Sequence, residues 1–374
     1  MSSEFPLSPS SPAELNFLPK PLHDLDRLIR RHIEEGRYPG CQIALARHGK
    51  LALFRTYGDS RVAPQPVPAS DDTIWLLFSN TKVITMAAVW SLVEEGALSF
   101  TDRIADHLPE FAAHGKEEIT IFQVATHTAG FPSAGVTPAA WADHARMHAE
   151  VCDFKPEWPA GSRLHYHGAS AHQTLAMVIE AVIGRDYREV IRERVIGPLG
   201  LIDELFVGVP AEEQHRCADA YSPPGSAGPD RNTPEFRAAG LPNGGGYGTA
   251  RAMAAFYQMM LNGGRLGAVR LFSRRMIEYV TRDFTGDMPD GGMALIPMHR
   301  GLGPHLRGTG GRVRGLGSIA APTTYGHGGV GSSYCWADPT SGVSFAYVTN
   351  FVQPDPWHSQ RLDRIANLVH AAID

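Results

Sequence analysis

Lysine is nearly missing from this chain: of its 34 basic residues only Lys20, Lys50, Lys82, Lys116 and Lys155 are lysines, and arginine supplies the rest. Cysteine is just as scarce. Cys41, Cys152, Cys217 and Cys335 are widely scattered without CxxC spacing, which argues against a zinc ribbon, a dithiol redox pair or a disulfide-stapled secreted scaffold. A basic excess is lacking as well, since the formal charge is -5, and with it the electrostatic footprint expected of a nucleic-acid binder. The longest apolar stretch of note, VITMAAVWSLV, falls short of the roughly 20 residues a membrane span needs. The opening MSSEFPLSPSSPAELNFLPKP has neither the basic start nor the apolar centre of a signal peptide. The expectation is a cytoplasmic protein acting on a small molecule, with no nucleic acid, membrane, metal or cofactor.

What is present is enough for a large core. At 374 residues, 43% hydrophobic and 20% charged, the chain suggests two lobes. Apolar residues at Leu22, Leu25, Leu28, Ile29 and Ile33 predict an amphipathic helix over 21–35, followed by a hairpin over 41–57 turning at His48-Gly49-Lys50. The other end mirrors this, with strands over 332–337 and 343–350 and a helix over 359–372. The simplest packing is an α/β (α+β) fold: one antiparallel sheet built from both hairpins, flanked by both terminal helices, with a mostly helical lobe inserted. The boundaries expected are an N-terminal extension 1–20, an α/β lobe 21–104 and 246–374, and a helical lobe 105–245. Further helices are expected over 170–183, 187–195 and 249–261. Residues 285–328, rich in glycine and proline with little periodicity, read as functional or mobile loops, and stretches 131–160, 205–240 and 285–325 as walls of a pocket.

One lysine sits inside an apolar run, in LLFSNTKVIT. A helix over 79–95 puts Ser79 and Lys82 one turn apart on one face, and the apolar residues all round it mark a buried helix. Burial disfavours the ammonium form, so a neutral Lys82 amine can take the Ser79 proton, which arginine cannot do. Chance alone gives on the order of 0.3 such spacings in a chain of this composition, so the tetrad gains weight only from its context. The bland alternative is a capping serine beside a lysine whose stem runs along the core. The serine also falls at a helix N-terminus, where backbone N–H groups favour an oxyanion.

Three other stretches could carry chemistry. In PAGSRLHYHG, Tyr166 follows a turn and precedes a helix, so its hydroxyl could relay a proton, although a satisfied core tyrosine is the commoner outcome. In YGHGGVGS, His327, Gly328 and Gly329 enter a strand whose edge could receive a substrate. The glycine run Asn243 to Gly248 lacks a P-loop ending and reads as a loop at the edge of the site, with Tyr247 a candidate for substrate contact. Seventeen histidines invite a metal reading at His165 with His167, or at His144 with His148, but neither pair has an HExxH glutamate or a third ligand at useful spacing. No Gly-x-Ser-x-Gly elbow occurs.

Taken in order, FSNTK, VWSLVEEGALSFTDRIADHLPEF, ITIFQVATHTAGFP, PAGSRLHYHGAS, LPNGGGYGTARAMAAFYQMMLNGG and YGHGGVGSSYCWADPTSG resemble the serine β-lactamase and penicillin-binding-protein-like superfamily over about residues 21–372. The nearest branch is the class C-like family VIII carboxylesterases. The resemblance implies a site between two lobes, with Ser79 the nucleophile, Lys82 its base and Tyr166 a proton relay. It implies an oxyanion hole from the backbone N–H groups of Ser79 and Val330, and a structural role for His127 to Gly130. Two departures stand out: Gly168, two residues after Tyr166 and past His167, replaces an asparagine, and His327 replaces a cationic lysine that holds a substrate carboxylate. Both favour hydrolysis of carboxylic esters, with amides, β-lactams, D-amino-acid peptides or acyl transfer as alternatives on the same site. A catalytically silent acyl-ligand sensor is the competing reading from another class.

Overall fold

The structure, a computed structural model, describes residues 5–311 and 315–373. The first four residues of the expected extension, residues 312–314 of the glycine-rich stretch and residue 374 lie outside the described residues.

Strands β2 (Gly40–Arg47) and β3 (Lys50–Arg61) form the N-terminal hairpin. Its two-residue turn, His48-Gly49, takes φ of +51° and +77°, the positive pair that suits a tight hairpin turn. At the other end β8 (Tyr325–Gly328), β9 (Tyr334–Asp338) and β10 (Val343–Thr349) run antiparallel. β9 begins two residues later than its pattern predicts because Gly329 to Ser332 fold into a turn, with Ser332 N–H donating to the Gly329 carbonyl at 3.2 Å. β10 pairs with β2, Tyr347 opposite Ile43, and so joins the two hairpins into one sheet. With β1 (Ser8–Pro9) and β7 (His305–Leu306) at its edges, the order is β1-β3-β2-β10-β9-β8-β7. The N-terminal extension is thus part of the sheet, β1 lying parallel to β3.

Both faces of this sheet are covered, which is why its central strands are buried at every residue. Ile43, Leu45, Phe345 and Tyr347 face the terminal helices α1 (Pro19–Glu34) and α6 (Trp357–His370) through Leu25, Ile29, Ile365 and Val369. The alternate residues Ala44, Ala46, Ala346 and Val348 belong to a second core with α2 (Thr81–Glu94) and α5 (Ala250–Leu261). Small side chains on this face let the helices come close. The same core continues into the region 105–245, around α3 (His144–Cys152) and α4 (Ser170–Ile183). The helix expected over 187–195 is α-helical only over Tyr187–Ile191 and widens into a π turn over Arg192–Ile196.

A small sheet bridges the expected lobe boundary. β6 (Gly246–Gly248) lies between β4 (Trp75–Leu76) and β5 (Leu205–Val207), so β6 joins the two outer segments to each other and pairs on its other edge with a strand from the inserted region. α2 therefore sits in the middle of the molecule. Its N-terminus opens between the sheet edge and the inserted region.

Candidate active site

Ser79 is not in the α-helix itself but in a 3-10 turn, Phe78–Asn80, that leads into α2. Thr81 and Asn80 side chains donate back to the carbonyls of Phe78 and Leu77 at 2.6 and 2.8 Å and wind the turn tight. Phe78 is held at φ +48°, an unfavourable left-handed conformation that presents the next residue, Ser79, to the cleft.

Lys82 is fully buried on the first turn of α2. Its Nζ lies 3.1 Å from Ser79 Oγ, 2.8 Å from the Gly168 carbonyl and 2.6 Å from the Asn243 carbonyl. Burial pushes its pKa well below the ordinary lysine value, and the nearby Arg300 charge pushes it further down. A neutral amine has two N–H donors and one lone pair. With two carbonyls taking both donors, the lone pair is left for the Ser79 hydroxyl proton.

The Tyr166 ring is partly exposed to the cleft while its hydroxyl is enclosed. The hydroxyl stands beside Ser79 without a hydrogen bond of regular geometry. Burial pushes the phenol up to about 12, with Ser79 and Arg300 pulling it back. The backbone around Tyr166 is pinned by histidines: His167 N–H donates to His127 Nδ1 at 3.1 Å, and His167 Nε2 accepts the Phe131 amide at 3.1 Å. His167 Nδ1 donates to the His165 carbonyl, so both ring nitrogens of His167 are engaged with the fold. Gly168 contributes only its carbonyl, to Lys82.

His327 on β8 is buried, its Nδ1 donating to the Gly328 carbonyl at 2.9 Å. Burial and then the Lys82 charge push its pKa down to about 3, so it is a neutral ring at physiological pH. Beyond it, Gly329 lies against the nucleophile turn and Val330 is exposed at the cleft. No acceptor among the described residues takes the amide of Ser79 or of Val330.

Ser79, Tyr166, His327, Gly328, Gly329 and Val330 all line one cavity of about 520 Å³. Its remaining wall is largely apolar, with Met293, Met298, Tyr334, Val352 and Leu362. Stretches 205–240 and 285–325 contribute to it, as expected, whereas no lining residue comes from 131–160. Tyr247 does not reach it. It is fully buried in β6, its hydroxyl donating to the Arg231 carbonyl at 3.2 Å, because the alternation of the strand turns that side chain away from Lys82. Two residues of the site carried no signal in the sequence: Arg300 and Asp290, a buried ion pair at 2.7 Å. His144 and His148 part company, His144 pairing with Glu180 at 2.6 Å and His148 lying 3.9 Å from Glu110.

Residues 25–370 match the beta-lactamase family. The chain belongs to that family. It is 29% identical over 315 residues to "Esterase/beta-lactamase LipL" of Mycobacterium tuberculosis, an alignment covering 76% of this chain and 71% of that protein. Among solved structures it is similar to a penicillin-binding protein homolog from Caulobacter crescentus, with a TM-score of 0.82 at 27% identity over 95% of this chain and 98% of the other. A family VIII carboxylesterase superposes with a TM-score of 0.81 at 25% identity, covering 94% of this chain and 97% of that one. The protein is accordingly an enzyme, a hydrolase of the serine type. No described helix is long and apolar enough to cross a membrane.

Proposed function

We propose that the protein is a carboxylesterase that works through an acyl-enzyme on Ser79. Lys82 takes the Ser79 proton as Oγ attacks the ester carbonyl, and the Ser79 and Val330 amides hold the resulting oxyanion. Collapse breaks the bond to the alcohol, and Tyr166 supplies the proton that the departing alkoxide needs. The Lys82 ammonium then returns its proton to Tyr166. Water repeats the sequence on the acyl group and restores the Ser79 hydroxyl.

The observation that carries this reading is the capture of both Lys82 donors by the Gly168 and Asn243 carbonyls, which aims the amine lone pair at Ser79. The choice of ester over β-lactam or D-amino-acid peptide rests on charge. Those substrates carry a carboxylate, and among the described residues lining the cavity the one arginine or lysine is Arg300, whose guanidinium is engaged by Asp290 and lies over the Tyr166 ring rather than free to bind a substrate carboxylate. His327 adds no charge. A neutral ester with apolar groups fits the methionine and tyrosine wall.

Mass spectrometry after fluorophosphonate treatment should find the label on Ser79, and Ser79→Ala should abolish turnover of a chromogenic short-chain ester. Label on another residue, or an Ala variant with full activity, defeats the proposal. Turnover of nitrocefin or of a D-alanyl peptide above that of neutral esters would overturn the substrate choice alone.

A further inference from the structure

Two basic side chains approach the Tyr166 ring, Lys82 Nζ at 5.2 Å and the Arg300 guanidinium at 4.8 Å from its centroid. Arg300 is 2% exposed and Asp290 is fully buried. Arg300 Nη2 donates to Asp290 Oδ2, while Asp290 Oδ1 accepts the amides of Tyr166 and Gly292, each at 2.9 Å. One carboxylate thus fixes both the backbone of the tyrosine and the cation over its ring. Close approach is needed for this: a Cβ on Gly292 would fall 2.8 Å from Tyr166 Cβ, and Gly291 N–H donates to the Leu164 carbonyl at 3.0 Å.

A buried ion pair is a poor device for stability alone, because desolvation offsets most of the attraction. Nor is this one saturated, since Arg300 Nε has no acceptor among the described residues. What the pair does achieve is to place a permanent positive charge over one particular ring. The other groups around Tyr166 are Ser79, the histidines His127 and His327, and Lys82. His127 and His327 are held neutral by burial, so Lys82, Arg300 and Asp290 set the local field.

We propose that Arg300, locked by Asp290, is a positioning residue that stabilises the phenolate of Tyr166 at the moment its proton passes to the leaving alkoxide. This rests on the Ser79 acyl-enzyme reading. The O–H bond of Tyr166 breaks as the alcohol O–H forms, the phenolate is held between Arg300 and the Lys82 ammonium, and proton return from Lys82 restores both groups. A leaving group that departs as a stable anion needs no such proton. The contribution of Arg300 therefore depends on the alcohol.

The experiment compares kcat/KM for an alkyl ester and a p-nitrophenyl ester of the same acid. Arg300→Met should lose on the order of 100-fold on the alkyl ester and less than about 10-fold on the nitrophenyl ester, within the range of general acid catalysis. Tyr166→Phe should show the same selectivity, and Arg300→Lys should recover part of the alkyl rate. The double variant Arg300→Met with Asp290→Asn removes both charges while the Asn oxygen still accepts the two amides. It should show the selective loss too, and it decides the matter if the single variant does not fold. Equal losses on both esters, or an unchanged ratio, would overturn the inference and leave the pair as scaffold. Fluorophosphonate labelling of wild-type Ser79 is read separately, so failure there counts against the acyl-enzyme reading and not against Arg300.

Discussion

Gly329 presses on Phe78 so closely that a Cβ on the glycine would lie 2.8 Å from the Phe78 Cβ and 2.9 Å from the Leu77 carbonyl oxygen. This contact sets the end of β8 against the turn that carries Ser79, and in the proposed oxyanion hole it fixes the spacing of the Ser79 and Val330 amides. One neighbour is backbone and cannot step aside. Gly329→Ala should therefore push the two amides apart, with kcat/KM falling about 10²- to 10³-fold, as for loss of an oxyanion donor. Overpacking should cost about 1–3 kcal/mol of stability, visible as a lower unfolding midpoint. Steady-state kinetics that stay within twofold of wild type would show that Val330 holds no oxyanion.

Lys82 makes a prediction in pH. In the proposed mechanism its neutral form is the base, and burial followed by the Arg300 charge holds its pKa well below 10.5. As pH rises the ammonium loses its proton, so kcat/KM should rise through that depressed pKa and level off well before ordinary lysines titrate. A limb centred near 10.5 would refute the assignment. Lys82→Arg keeps a charge that cannot be lost, so labelling of Ser79 by a fluorophosphonate should slow about 10²- to 10⁴-fold.

The Ser79–Lys82 pair and the hairpin strands were legible because each rests on local spacing: one helical turn, or strict alternation on both sides of a short turn. Arg300 and Asp290 were not legible. They lie in a stretch without periodicity, and Asp290 reaches the Tyr166 amide across 124 residues of sequence. Nothing in the local pattern marks an aspartate that will be buried against a distant backbone. Asn243 and Gly168 stood out in the sequence for other reasons, but they hold Lys82 through main-chain carbonyls, which every residue possesses, so nothing in their identity marked that role. Tyr247 misled for the opposite reason: a tyrosine in a glycine run near the site looks like a substrate contact, yet strand alternation decides which way it points.

Tyr247→Phe tests that last point. The hydroxyl donates to the Arg231 carbonyl at 3.2 Å and lies beside the Arg237 side chain, in a fully buried setting. Removing it should cost about 0.5–1.5 kcal/mol of stability and leave ester kcat/KM within about twofold of wild type, where burial in β6 keeps the ring in place. A tenfold loss of kcat/KM without a matching fall in the unfolding midpoint would return Tyr247 to the substrate site.

Acid should unfold the protein through its buried histidines. Burial holds His32 and His167 down to about 4 and His327 down to about 3, and His127 and His172 well below the ordinary value. Between about pH 6.5 and those values the unfolded chain binds protons that the folded chain refuses, so stability rises with pH and falls as pH drops. Each histidine contributes at most about 1.4 kcal/mol per pH unit. His172 isolates the effect, because neither ring nitrogen has a partner among the described residues and the side chain is 1% exposed. His172→Phe removes a buried N–H and a titrating group of similar shape. Denaturant unfolding at pH 7 and pH 5 should therefore show stability at pH 7 kept or raised and the drop between the two reduced by about one proton's worth. If the variant loses as much stability on acidification as the wild type, His172 titrates normally and the buried cluster is not the acid-sensitive element.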